Sequence, residues 1–299
     1  MKIDIFTHIY LKKYMDTLMK KARAPITQRP PPVTELDQRF KWMDKNPDVA
    51  QVITLPNTPT ENLVSPEDNL ALIKLANDEM AELVAKYPDR FIAAAACLPL
   101  IDIDASLKEA DRAINQLHLR GIQIFTNING EPLNTPKFKP LYELMAKYDL
   151  PIWIHPLDPP GWGKSPFENQ LEFGWVYHTS VAMLALSRAG ILEAYPNIKF
   201  ITHHCGGMVP YNRLRVRQFT ASLQKFYADT AIHEIPSALM CGYDYFGADH
   251  IVFGTDMPWY DENAVRNTIN AVEAMPIPPA DRQKIFEGNA RRLMKLPIK

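Results

Sequence analysis

The chain has 299 residues, 46% apolar and 22% charged, a globular composition that excludes wholesale disorder. Thirty-three Lys and Arg against 34 Asp and Glu leave a net charge of −1, so no basic surplus is available for nucleic acid or an anionic membrane. The charge-free stretch at 173–187 is shorter than the ~20 apolar residues of a membrane span, and Asp4 and His8 interrupt the apolar run that a signal peptide would need.

Eight short runs follow one another, most of them apolar nearly throughout, as in strands covered on both faces of a parallel sheet. KIDIF (2–6) leads into a long connection over roughly 9–47 that includes Pro30, Pro31 and Pro32. VAQVITL (49–55) precedes a helix that opens Ser65-Pro66-Glu67-Asp68, an N-cap, a proline at the first position and early acids. FIAAAACL (91–98), GIQIF (121–125) and PIWIH (151–155) come next, with helix-period segments at 105–118 and 136–148. A second long connection, LDPPGWGKSPFENQ at 157–170, follows the fifth run. IKFITH (198–203), FYADTAI (226–232) and HIVFGTD (250–256) complete the set, with helices at 178–195, 262–275 and 280–294.

Eight strand–helix units with short connectors favour a (β/α)8 TIM barrel over an open doubly wound sheet. No linker divides the chain, so residues 1–299 are read as one domain. The structureless loops after strands 1 and 5 are read as lids or binding loops. Cys97, Cys205 and Cys241 are odd in number and widely spaced, which suggests neither a disulfide framework nor a Cys-type zinc site and fits a cytoplasmic protein.

Catalytic groups of a TIM barrel sit where the strands end at its C-terminal face. Strand 1 ends at His8, strand 5 at His155, strand 6 at His203 and His204, and strand 8 at Asp256; strand 7 contains Asp229. Two imidazoles and a carboxylate (His8, His155, Asp256) suit a divalent ion, Zn²⁺ first and Mn²⁺, Mg²⁺ or Fe²⁺ besides, and three protein ligands leave an open position for water or substrate. His203 and His204 are adjacent, so the period-2 rule sends them to opposite faces without choosing between them. Phe125, Trp162 and Trp259 supply flat apolar walls near the mouth. Arg23, Arg29 and Lys41 flank the first long loop and Lys164 lies in the other; any of these is a candidate anion contact.

WIHP (153–156), HHCGGMVPYNRLR (203–215), YADTA (227–231), GTDMPW (254–259) and GNARRLM (288–294) stand in this order, with RFKWMD (39–44) and YPDRF (87–91) before them. The ordered set resembles the second amidohydrolase-related family, the group of aminocarboxymuconate-semialdehyde and γ-resorcylate decarboxylases and related hydratases. The resemblance implies that His155 and Asp256 are metal ligands, that Asp256 is also a catalytic proton carrier, and that His204 is the catalytic histidine with His203 as its structural neighbour. It implies also that Arg215 reaches a substrate carboxylate across the interface of a homodimer. The family reads His-x-His or Glu-x-His at strand 1, whereas this chain reads Phe6-Thr7-His8. Phenylalanine cannot bind metal, and Asp4, two residues earlier on the same strand face, would substitute only if the backbone shifted. The expected activity is metal-dependent, non-oxidative decarboxylation of a small carboxylated aromatic or unsaturated acid. Because Phe6 replaces a usual ligand, metal affinity is expected to be lower than in relatives. The alternatives are hydrolysis of a lactone, ester or amide with weak or no metal dependence, hydration of a double bond, and a barrel that binds without turnover.

Overall fold

A computed structural model describes residues 1–23, 31–56, 59–162, 173–232 and 234–297. Eight strands form the barrel wall: β1 Lys2–His8, β2 Val49–Thr54, β3 Phe91–Ala94, β4 Ile122–Phe125, β5 Pro151–His155, β6 Lys199–Thr202, β7 Tyr227–Asp229 and β8 Ile251–Val252. All neighbours pair in parallel, β1 to β3 in one run and β4 to β8 in another. Parallel bridges from Ala96 to Ile122 and from Thr7 to Met257 join the two runs at both edges and close the ring. Each expected strand is present. FIAAAACL, FYADTAI and HIVFGTD pair over fewer residues than their apolar runs cover.

The helices form the outer layer. The longest, Pro66–Lys86, starts as its sequence predicts: the Ser65 hydroxyl accepts from the Asp68 N–H at 3.2 Å. The first long connection is more ordered than expected, holding helices Lys12–Lys21 and Leu36–Met43. The first of these buries only Tyr14 and Leu18, too thin an apolar stripe to read from sequence. A small antiparallel hairpin at 127–132 was likewise unexpected; Asn129 and Gly130 both have positive φ, the Asn-Gly pattern of a tight turn.

Inside the ring, Ile3, Ile5, Phe6, Val52, Trp153, Ile201 and Val252 form one buried cluster, closed by Ala290, Leu293 and Met294 of the C-terminal helix. Register shifts between Asp4 and Thr7 in β1. This bulge breaks the alternation: Ile3, Ile5 and Phe6 all join the interior cluster, while Asp4 bonds to Thr255 and lies near Arg39 of helix Leu36–Met43. Asp4 therefore does not share the face of Phe6 and His8, contrary to the simple period-2 expectation, and stands in no position to replace a strand-1 ligand.

Candidate active site at the strand ends

Alternation carries chemistry from the buried interior to the rim. Below the rim lie Trp153, Ile201, Tyr227 and Val252; two residues on in β5, β6 and β7 come His155, His203 and Asp229, and β8 leads past Gly254 to Asp256. Gly254 eases this approach, since a Cβ would stand 3.0 Å from the Asp229 Cβ and 3.1 Å from the Phe6 Cβ, a tight contact. His204, Cys205 and Asp256 take left-handed φ values of 54°, 54° and 59°. That conformation is costly for such residues and clusters at functional sites.

His8 Nε2 lies 3.1 Å from Asp256 Oδ1, and His204 Nε2 lies 3.7 Å from Asp256 Oδ2. Asp256 thus stands between two imidazoles. Burial alone would raise its pKa, but the partners His204 and His8 outweigh that and hold it well below the usual carboxylate range. The reciprocal effect reaches His204: burial disfavours its charged form, yet Asp256 and Asp229 raise its pKa. His155 and His203 go the other way, driven well down by burial first and then by neighbouring imidazoles, so both are neutral. His155 Nδ1–H donates to the Pro156 carbonyl at 2.7 Å, which leaves its Nε2 as the lone-pair nitrogen.

The contacts of His8 set a test for a metal ion. The Thr54 hydroxyl donates to the Thr7 carbonyl, so at 3.0 Å it accepts from His8 Nδ1–H. A neutral His8 would then turn the Nε2 lone pair toward an ionised carboxylate. Two acceptors facing each other call for a cation between them, a proton or a metal ion. With the His8 and His155 ring centroids 5.0 Å apart, the donor set has the chemistry of a divalent-ion site, and each Nδ1 is anchored as ligating histidines are. Among the described residues, however, no three His, Cys, Asp or Glu side chains are gathered into a ready-made cage.

The predicted site residues separate into two groups. His8, His155, His204 and Asp256 come together, with the Phe125 ring 6.1 Å from His155 and the Trp259 ring 5.9 Å from His8. Trp162 packs instead on His178 (4.5 Å) and Tyr177 (6.0 Å) in the connection after β5. Arg215 is exposed on the segment after His204, and Arg23 and Lys41 are exposed as well. Arg29 and Lys164 lie outside the described residues.

Sequence reasoning missed the inner couple. His203 Nδ1–H donates to Asp229 Oδ2 at 2.8 Å, and Asp229 Oδ1 accepts from the Cys205 and Ala231 N–H groups. Burial pushes Asp229 up to about 6. The His203 ring stacks on Phe6 at 3.4 Å, 12° from parallel. Both adjacent histidines therefore serve the rim, His203 inward by alternation with Ile201 and His204 by leaving the strand. That alternation was the signal available in the sequence.

The profile of the amidohydrolase family matches residues 3–296. γ-Resorcylate decarboxylase of Rhizobium radiobacter is 29% identical over 87% of this chain and 87% of its own. 6-Methylsalicylic acid decarboxylase of Penicillium expansum is 27% identical over 98% of this chain and 95% of its own. A crystal structure of a dihydroxybenzoic acid decarboxylase from Polaromonas sp., with bound manganese and the inhibitor 2-nitroresorcinol, superposes with a TM-score of 0.84 over 100% of this chain and 98% of that one, at 24% identity; at that identity the likeness speaks for the fold. Matched over nearly its full length, the chain belongs to the amidohydrolase family and is an enzyme of that superfamily.

Proposed function

We propose that this enzyme is a non-oxidative decarboxylase of a small carboxylated aromatic or unsaturated acid. One observation carries the reading: an ionised Asp256 held between His8 and His204, with the Phe125 and Trp259 rings beside the same group. Those rings would receive a flat substrate. Loss of CO₂ breaks the carbon–carboxylate bond and leaves its electron pair on carbon, which must then take a proton. His204 is suited to hold that proton, since Asp256 favours its charged form, and Asp256 keeps the imidazole turned toward the substrate. His155 and His203, neutral and buried, add no competing charge.

The reading includes a divalent ion, held by His8, His155 and Asp256. When bound it would chelate the substrate carboxylate with a neighbouring oxygen and stabilise developing charge as a Lewis acid. Zinc suits the donor set first; manganese, the ion of the Polaromonas relative, magnesium and iron are the others.

A second copy of the chain belongs to the proposal. Tyr211 is 86% exposed and Leu214 75%, on the segment that also carries Arg215. The Met208 N–H donates to Ser180 Oγ at 2.7 Å, which sets this segment beside the half-exposed Tyr177 and Val181. A dimer covering these side chains would bring Arg215 to the partner's site. Among the described residues no helix is long and apolar enough to cross a membrane, and the three cysteines are free thiols, which suits the cytoplasm.

A panel of hydroxybenzoates and muconate-type acids, assayed for CO₂ release, tests the reaction. Release from at least one, lost in His204→Ala, is expected; no release from any, with acid liberated from lactones in a pH-stat instead, would make the enzyme a hydrolase. Light scattering on the purified protein should give a dimer, and a monomer would remove Arg215 from the site.

A further inference from the structure

Three rings at the rim form a near-regular triangle. The centroids of Phe6 and His8 are 4.6 Å apart, those of His8 and His155 5.0 Å, and those of Phe6 and His155 5.6 Å. Imidazoles that share one tetrahedral ion at about 2 Å from each nitrogen have their ring centres about 5 Å apart. Phe6 therefore stands where a third imidazole ligand would stand. We infer that Phe6 is the residue that limits metal binding in this enzyme, leaving a three-donor site from which the ion exchanges readily.

The surroundings support this from several sides. Phe6 is fully buried, so its ring is a fixed wall rather than a side chain that swings aside. Its face lies on His203, and a Cβ on Gly254 would stand only 3.1 Å from its own Cβ. The ring also meets His204 edge-on at 6.1 Å, so it touches all four imidazoles of the rim and offers none of them a shared ligand. Two imidazoles and one carboxylate remain, and ligand number and type govern both affinity and metal selectivity. The lack of a preassembled three-group cage among the described residues agrees with an ion that organises its ligands only on binding.

The inference rests on the reading of His8, His155 and Asp256 as the ion's holders and on no reaction, so it is tested without substrate. Chelator-treated wild type, Phe6→His, Phe6→Glu and Phe6→Leu would be titrated with Mn²⁺ alone, following free Mn²⁺ by electron paramagnetic resonance. A histidine ring is smaller than the phenyl it replaces, and circular dichroism would establish that each variant folds. Phe6→His or Phe6→Glu should bind at least about tenfold more tightly than wild type, the lower end of what even an outer partner of a metal ligand is worth. Phe6→Leu, which adds space and no donor, should not tighten binding. Wild type should also lose its ion on dialysis against EDTA, a measurement that needs no variant. Retention of one ion per chain through that dialysis would overturn the inference, as would folded histidine and glutamate variants that bind no better than wild type. A negative CO₂ assay with a positive Mn²⁺ result would sink the proposed reaction and leave this inference standing.

Discussion

Asp4 and His8 lie on the same strand, four residues apart and both fully buried, yet they belong to differently finished surroundings. Around Asp4 the hydrogen bonding is complete. Its carboxyl accepts from the Phe6 N–H, the Thr255 N–H and the Thr255 hydroxyl. The neighbouring Arg39 guanidinium donates to Gln51 Oε1, to the His8 carbonyl and to Thr7 Oγ1, and Gln51 Nε2 reaches Met257 Sδ. Around His8 it is not: among the described residues, His203 Nε2, His204 Nδ1 and Trp175 Nε1 are buried without a hydrogen-bond partner. A buried polar atom left unpaired costs about 1–3 kcal/mol. The layer behind the wall is built for stability, and the rim is left incomplete for a guest.

The two surroundings differ most sharply in what Asp256 does. Asp256→Asn removes the charge that His8 and His204 share, and CO₂ release should fall by about 10²–10⁴-fold, the usual span for a proton-handling group, while thermal melting shows a folded protein. Arg39→Met should do the reverse in kind. It leaves Gln51, Thr7 and the His8 carbonyl without their donor, and denaturant unfolding should report a loss of about 3–5 kcal/mol, the range for breaking a buried charged network. A melting temperature insensitive to Arg39→Met would dissolve the distinction between the two layers.

Asp4 sharpens it through pH. Burial pushes its pKa up to about 7, against its bonds to Thr255 and Phe6 and the nearby Arg39 charge, from an ordinary 3.8. Between those values the folded state keeps a proton that the unfolded chain has released. The stability this group contributes is present below 3.8 and is lost as pH rises through about 7. Relative to wild type, Asp4→Asn should therefore gain stability across that interval, by a few kcal/mol at most, and a pH-independent difference would contradict it. The smallest effect is expected at the junction of the layers. Gly254→Ala drives a methyl toward Phe6 and Asp229 and should cost about 1–3 kcal/mol in denaturant unfolding.

Much of this arrangement was legible in the sequence. Strand ends carry the chemistry of a parallel barrel, so His8, His155 and Asp256 could be named from the runs that precede them. The hidden parts have physical reasons. The bulge in β1 follows from pairing with neighbours distant in sequence, which local alternation cannot foresee, and it sent Asp4 to the helix side. The His203–Asp229 couple was obscured because two adjacent histidines satisfy either face; alternation ties His203 to Ile201, and the structure shows that Ile201 is the interior residue. Phe6 could be read as a missing ligand, but its place at one corner of a triangle of rings needed coordinates.

The proposed reaction turns on a proton delivered at the rim to the carbon that has lost its carboxylate. Turnover of an active acid in D₂O, followed by mass spectrometry of the product, measures that directly. One deuteron at the vacated carbon, with an equal yield of CO₂, is the predicted result. A product that retains its carboxylate and has gained the elements of water would contradict it.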